Sequence, residues 1–468
     1  MSERANEPQA PAPFPRAFWT ANVTELFERG AYYAMASFVV IYFGRLGMGK
    51  YWPSTLNSVL WTLVYFLPIL SGTIADQVGF RRALLTAFVL LGGGYLLMGT
   101  PVWFGGATLL ERAGEQVTVA PFVAVVCVLA IALIGVGGSI VKPCISGTVQ
   151  KTAAGRATLA FGIFYMVINI GSLVGRAASY YVRTHTSLTA IFGVSMTCAA
   201  VAFAVVFFVY RDPDRSSGAA AAPRRSVGRI FVDMVKVLRN PRFALFLLVN
   251  VGFNFLYGQV YNVLPLYLAT VLEKKPAVDV YTMANPLVIV TLQLAVTKVF
   301  GRLAPVRSMV VGTVIIGFAM VINVAPLYLA GGPRALGPFG IPIGSLFVVM
   351  TVALIALGEL FAQARVFEYI GALAPKGQEG LFLGYANLPT ALGSLTGGPV
   401  GAYLFHDVIC RGATKDESGL LVLDRGSATV GWLVFTAIGF ASASGLWMYD
   451  RYVTARPIAP APEGLEPV

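Results

Sequence analysis

The sequence predicts an all-α membrane protein with twelve transmembrane helices in two six-helix bundles. Three observations predict it. The 468 residues are 57% hydrophobic and only 12% charged, with a mean hydropathy of +0.73. A soluble domain carries about 25% charged residues, so this chain cannot clothe itself in a water-compatible surface. About twelve segments are long and apolar enough to cross a hydrocarbon core about 30 Å thick. One long polar break, 211–240, divides them into two sets of six. A cytosolic enzyme, a disordered chain and a nucleic-acid module are excluded.

In chain order the expected spans are 17–44, 54–76, 83–104, 119–149, 157–182 and 187–210, then 243–270, 279–300, 308–331, 343–374, 379–406 and 428–450. Glycine and proline recur inside them, which membrane helices tolerate and which lets helices pack closely. The expected organisation is a tail (1–16), a first bundle (17–210), a linker (211–242), a second bundle (243–450) and a tail (451–468). Residues 1–15 are polar and proline-rich, and the first apolar run is too long for a signal peptide. The first helix is therefore the expected insertion signal. The linker opens with RDPDRSSGAAAAPRRS, a flexible composition. Val227, Ile230, Phe231, Met234 and Leu238 then fall at helical spacing, as an amphipathic surface helix or as a plain lead-in to the seventh span.

Lys and Arg are twice as frequent on the side holding the termini as on the other, which predicts both termini in the cytoplasm. The net charge of +12 then reads as loop charge facing anionic lipid. Cys127, Cys144, Cys198 and Cys410 have no metal-ligand spacing, and His185 and His406 are far apart. No metal and no cofactor is expected.

Charges inside apolar helices carry the functional signal, because each costs several kcal/mol unless paired or facing a wet cavity. The first span contains ELFERGAYYA. Glu25, Glu28, Arg29, Tyr32 and Tyr33 share one helical face there, with Asn22 one turn earlier. Glu25 and Arg29 suit an i, i+4 ion pair. The fourth span, GVGGSIVKPCISG, buries Lys142, and Pro143 beside it frees a backbone carbonyl. A buried lysine without a counter-charge loses its proton, so a carboxylate or an anionic ligand should face it. The tenth span, LIALGELFAQARVFEYIG, holds Glu359 at mid-depth, and Lys142 is its expected partner. Arg365 and Glu368, nearer the end, can pair at i, i+3. Tyr65, Asn169 and Asn285 are further polar groups in the second, fifth and eighth spans. For a lone membrane asparagine, a plain interhelical hydrogen bond is the commoner role.

These residues resemble a known family. GTIADQVGFRR, with Gly72, Asp76, Gly79, Arg81 and Arg82, is similar to the loop signature of the major facilitator superfamily. The E-x-x-E-R-x-x-Y-Y pattern of the first span is more specific. Together with GGSIVKPCIS, FYMVINIG, YGQ, ANPL, GE and LAPKGQEGLFLG, in that order, it resembles the proton-dependent oligopeptide transporter family. The resemblance implies the major facilitator fold and proton-coupled import of di- and tripeptides by alternating access. It implies that Arg29 and Lys142 receive the peptide carboxylate and that Glu359 faces its amino group. Tyr32, Tyr33, Tyr65, Asn169 and Asn285 would line the site, and Glu25, Glu28 and Glu359 would couple protons. Asp76, Arg81 and Arg82 would belong to the inner gate, together with a Lys142–Glu359 salt bridge. The implied partners are a small peptide, protons and membrane lipid, with no nucleic acid and a monomeric transport unit.

The chain departs from the family pattern. Gly30 stands where the family usually has Phe. The seventh span reads Asn254, Phe255, Leu256, Tyr257, Gly258, Gln259, without the usual acidic residue or tryptophan. The tenth has AQAR after Glu359 in place of Ser-Pro. These changes keep open another small organic anion or a modified peptide as cargo. A membrane enzyme or receptor is the remaining alternative, but the chain has no H-E-x-x-H or G-x-S-x-G motif and no sizeable soluble domain.

Overall fold

The computed structural model describes residues 13–113, 116–153, 156–213, 238–373 and 385–454, with scattered positions between 228 and 236. Val227, Ile230, Phe231 and Met234 lie outside the described residues, as does all of the LAPKGQEGLFLG motif beyond Leu373.

Among the described residues, nine helices are long and apolar enough to cross a membrane, and a bent pair makes ten. The bent pair is Trp52–Phe66 with Pro68–Ala75, at 43°. Pro68 lacks an amide hydrogen and its ring crowds the preceding turn, which is the ordinary cause of such a kink. Two further expected spans fall short of that test. Arg16–Ala36, continued by Val39–Arg45, carries three charges between Glu25 and Arg29. Leu388–Tyr403 has only 16 residues before it widens into a π-turn through Ile409. The seventh span is also broken: Pro241–Tyr257 gives way to a 3-10 turn at Gly258–Val260 before Val263–Tyr267.

In the first half, Arg16–Ala36 packs between Ala157–His185 and Ala190–Phe208, while Phe80–Trp103 packs along Pro121–Lys151. In the second half, Pro305–Val321 lies between Ile343–Leu373 and Arg425–Tyr449. These approaches depend on small residues, because two apolar helices in lipid gain from contact only when their backbones come close. A Cβ on Gly175 would stand 2.3 Å from the carbonyl oxygen of Gly30. The Gly30 departure from the family pattern thus lies in the tightest part of this helix crossing.

The hydrogen bonds and ion pairs that join the two halves, among the described residues, lie from mid-bundle to the end away from the termini. The Asn57 amide donates to the Tyr261 carbonyl at 3.2 Å and to Asn262 at 3.0 Å. Tyr51 donates to Asp407 at 2.6 Å, and Arg112 donates to the Ser418 carbonyl at 2.6 Å. Leu388–Tyr403 lies along Trp52–Phe66, and a Cβ on Gly398 would reach 2.2 Å from the Ser54 carbonyl oxygen. The far end is therefore shut. A short hairpin, Thr414–Lys415 with Leu421–Val422, decorates it.

Gly175→Val must push the first and fifth helices apart. The expected loss is about 1–3 kcal/mol, the usual cost of overpacking, read as a lower melting temperature in detergent. Gly193→Ala, where an added Cβ meets nothing within 4 Å, is expected to melt with the parent chain.

Candidate functional site

The first helix puts three charges in the bundle interior. Glu25 and Glu28 are each 1% exposed and Arg29 is 8% exposed. The Arg29 Nε atom stands 3.3 Å from Glu25 Oε1 and also donates to Glu28 Oε2. One guanidinium thus serves two carboxylates. The Glu25 contact follows from i, i+4 spacing. The Glu28 contact does not, since sequence neighbours on a helix rarely face each other. Tyr32 lies beside Arg29, with its ring centroid 5.6 Å from the guanidinium carbon.

Lys142 comes from the helix Pro121–Lys151. Pro143 has no N–H to offer the Ser139 carbonyl, four residues back, and the Ser71 hydroxyl of the second span supplies that bond at 2.8 Å. The kink-prone turn is thus tied across to the neighbouring helix. The Lys142 ammonium sits over the Tyr65 ring, 5.3 Å from its centroid. Tyr65 stacks on Trp61 at 5.6 Å, and Trp61 leans on Tyr261 at 4.8 Å, Tyr32 at 5.9 Å and Tyr257 at 6.3 Å. These rings form an aromatic wall with the charged groups around it.

Glu359 lies opposite. Asn285 donates to its Oε2 atom at 3.1 Å, and the Tyr257 side chain stands beside the same carboxylate. Lys142 is within electrostatic reach of Glu25, Glu28, Arg29 and Glu359. It makes no ion pair within 4 Å among the described residues. The expected Lys142–Glu359 salt bridge is therefore open in this conformation, with Asn285 on one partner and Tyr65 under the other. Lys142, Glu359, Tyr33 and Tyr65 all keep part of their surface accessible.

Other expected residues are placed differently. Asn169 is buried and donates to the Tyr165 carbonyl of its own helix at 2.9 Å. Asp76 lies within Pro68–Val78. The Arg81 amide donates to Asp212 at 2.8 Å, and its side chain donates to the Phe207 carbonyl at 2.5 Å. These contacts stay within the first half, so Arg81 splints the third and sixth spans here rather than joining the halves. Arg82 is exposed. Arg365 pairs with Glu368 at 2.6 Å and donates to the Gly301 carbonyl at 2.7 Å, which fastens the tenth span to the end of the eighth. In the seventh span, Asn254 accepts from Thr390 at 2.8 Å and Gln259 donates to the Gly397 carbonyl at 3.2 Å. Both serve packing against Leu388–Tyr403.

Sequence reasoning passed over Trp61, Tyr257, Tyr261 and Arg176. Their signal was present. Trp61 precedes Tyr65 by one turn, Tyr257 and Tyr261 are i, i+4, and Arg176 is two turns beyond Asn169 on the same face. Arg176 is fully buried, with its guanidinium carbon 4.5 Å from the Tyr33 ring centroid. Among the described residues no group of three His, Cys, Asp or Glu side chains is placed to hold a metal.

Residues 18–367 match the family model described as Major Facilitator Superfamily. Among similar curated proteins, a dipeptide and tripeptide permease A of Erwinia pyrifoliae is 26% identical over 230 residues, covering 48% of this chain and 42% of the permease. Peptide transporter family 1 of Drosophila melanogaster is 31% identical over 202 residues, covering 42% of this chain and 25% of the fly protein. A di-/tripeptide transporter of Lactococcus lactis is 29% identical over 172 residues, covering 34% and 31%. The matched region thus spans less than half the length of each of these relatives. Among solved structures, a POT family transporter in complex with a thioalcohol-conjugated peptide superposes with a TM-score of 0.73 at 16% identity, covering 94% of this chain and 97% of that one. A POT family transporter in complex with 5-aminolevulinic acid gives 0.71 at 17%, with the same coverage. At these identities the likeness concerns the fold.

Arg29→Met would strand two carboxylates in the interior. Breaking a buried ion pair from one side costs about 3–5 kcal/mol, so this variant is expected to melt far below the parent in detergent. Glu25→Gln, which leaves Arg29 its Glu28 partner, is expected to melt close to it.

Proposed function

The chain belongs to the major facilitator superfamily, and we propose that it is a proton-coupled symporter importing di- and tripeptides by alternating access. The observation that carries this reading is the split between two charged poles. Arg29 is held by Glu25 and Glu28 and Lys142 sits over Tyr65, while Glu359 is held by Asn285 and makes no ion pair with Lys142 among the described residues. Lys142 and Glu359 are accessible and unpaired with each other, so each is free to take a ligand charge. A short peptide is a zwitterion and spans such a dipole, carboxylate toward Arg29 and Lys142, amino group toward Glu359. Tyr32, Tyr33, Tyr65, Asn169 and Asn285 are the further contacts in this reading. The resemblance to the oligopeptide transporter family and the peptide-transporter names of its relatives support it.

Proton coupling in this reading runs through Glu25, Glu28 and Glu359. Arg29 cannot satisfy a substrate carboxylate and both glutamates at full strength. A proton on one glutamate loosens its hold on Arg29 and releases donors to the substrate. A proton on Glu359 removes its attraction for Lys142. The membrane potential adds about 2.3 kcal/mol per charge per 100 mV. In this reading the Lys/Arg bias supports both termini in the cytoplasm, so the shut far end would face outward. In the complementary state Lys142 and Glu359 would close together with the Asp76, Arg81 and Arg82 region at the inner side. The cell membrane is the proposed location and a monomer the transport unit.

A second cargo reading, a modified peptide or another small organic anion, draws on the seventh span. Gly258 supplies no acid there, and Asn254 and Gln259 are spent on packing, so among the described residues Glu359 marks the amino pole.

The test is uptake of labelled dialanine by liposomes containing the full chain, with and without an inward proton gradient. Accumulation above equilibrium only with the gradient is expected. Equal accumulation without it would sink the coupling. Lys142→Gln is expected to weaken apparent dialanine affinity about tenfold to a hundredfold, as befits a lost hydrogen bond between charged groups worth about 1.5–3 kcal/mol. Glu359→Gln is expected to abolish accumulation. Saturable uptake of an organic acid with no peptide competition would favour the second cargo.

A further inference from the structure

The junction between the halves holds further contacts besides those of Asn57, Tyr51 and Arg112. Two arginines of the helix Ala157–His185 stand at the junction between the halves. Arg176 is fully buried and has no carboxylate within ion-pair distance among the described residues. It donates instead to neutral oxygens: to Ser172 in its own helix, to Thr282 Oγ1 at 3.1 Å and to the Tyr261 hydroxyl at 3.0 Å. Thr282 and Tyr261 belong to the second half. Thr282 also shares a hydrogen bond of 3.0 Å with Ser37 of the first span. Two turns further along, Arg183 forks onto Asp279, with Nη2 3.0 Å from Oδ1 and Nε 3.3 Å from Oδ2. Asp279 is 1% exposed, and the Arg183 guanidinium lies over Phe38, 4.6 Å from the ring centroid.

Asp279 and Thr282 are i, i+3 in Val278–Thr282, so they present one face to two arginines two turns apart. The contact therefore works as a two-tooth latch. Opening the far end breaks the fork and removes two of the three acceptors of Arg176. A bare guanidinium cannot stay in a dry interior, so the latch parts only when water enters, and it closes only when the full set of acceptors returns. Partial opening is penalised, which favours two discrete states. The latch also touches the site. The face of Tyr33 lies beneath Arg176, and Tyr261 leans on Trp61, which stacks on Tyr65 under Lys142.

We propose that Arg176 and Arg183 form a latch of the far-side gate, fastening the fifth span to the eighth and linking gate closure to the site through Tyr33 and Tyr261. The proposal rests on the alternating-access reading but not on the cargo or the coupling ion.

Ser179 supplies a reporter. It lies between the two arginines, is fully buried, and its hydroxyl has no hydrogen-bond partner among the described residues. In full-length protein carrying Ser179→Cys, the rate of maleimide labelling in detergent reads far-side opening. The rate of the chain without that substitution, which reports its own four cysteines, is subtracted. Slow labelling is expected with the gate intact. Asp279→Asn or Arg176→Gln is expected to speed it about tenfold or more, as a shift toward the open state. The charge swap Arg183→Asp with Asp279→Arg is expected to restore slow labelling. Unchanged labelling in both single variants would overturn the proposal. So would a swap protein that is monodisperse yet labels as fast as Asp279→Asn. The readout needs neither peptide nor proton gradient, so failure of dialanine uptake leaves it intact, and failure of the latch leaves the uptake result standing.

Discussion

Arg29 holding Glu25 and Glu28 in the bundle interior is the interaction on which the remaining arrangement depends. In a chain solvated mostly by lipid, an ionised side chain has no water to fall back on. It must find counter-charges and hydrogen bonds within the protein or face a wet cavity. The pairing rule explains why these charges point inward and away from lipid. It also explains why each is ringed by groups from other helices: Tyr65 under Lys142, Asn285 against Glu359, Thr282 and Tyr261 around Arg176. The central set contains three carboxylates, Glu25, Glu28 and Glu359, and three cations, Arg29, Lys142 and Arg176. If all are ionised, their charges balance. Adding a proton or a charged ligand upsets that balance, which is a physical basis for linking ligand, proton and conformation.

Close packing supplies the second constraint. Gly30 and Gly175 bring the first and fifth helices nearly into backbone contact, and Gly398 does the same for the contact between the halves at Ser54. The charged face of the first helix is thereby placed with little slack, and the arginines of the fifth are carried to the junction. Pro143 and Pro68 bend or loosen helices at the level of Lys142 and Tyr65. Ser71 bonds the carbonyl that Pro143 leaves free, so the irregular backbone stays satisfied.

Much of the candidate site was legible in the sequence because ionisable residues are so rare in its apolar runs. Helical periodicity alone placed Glu25, Glu28, Arg29, Tyr32 and Tyr33 on one face, and the Glu25–Arg29 contact followed from spacing. Arg365 and Glu368 likewise met as i, i+3 neighbours. Trp61, Tyr257 and Tyr261 were harder to single out for the opposite reason. Aromatic residues are common in membrane helices, so one that lines a site looks like one that faces lipid. Arg176 was visible as a charge, but nothing in its own helix indicated its acceptors Thr282 and Tyr261 in the second half.

Composition, segment length and the central polar break by themselves determined the membrane class and the helical fold, and set the expected depth of each buried charge. They do so because the bilayer imposes a length and a cost on every residue it covers. Only the tertiary structure decided which charges meet. Depth along a helix says nothing about the rotation and approach of its neighbours. That is why Glu359 is found on Asn285 and not on Lys142, why Arg81 grips its own half, and why the far end is held by Arg183 and Asp279, 96 residues apart in the chain.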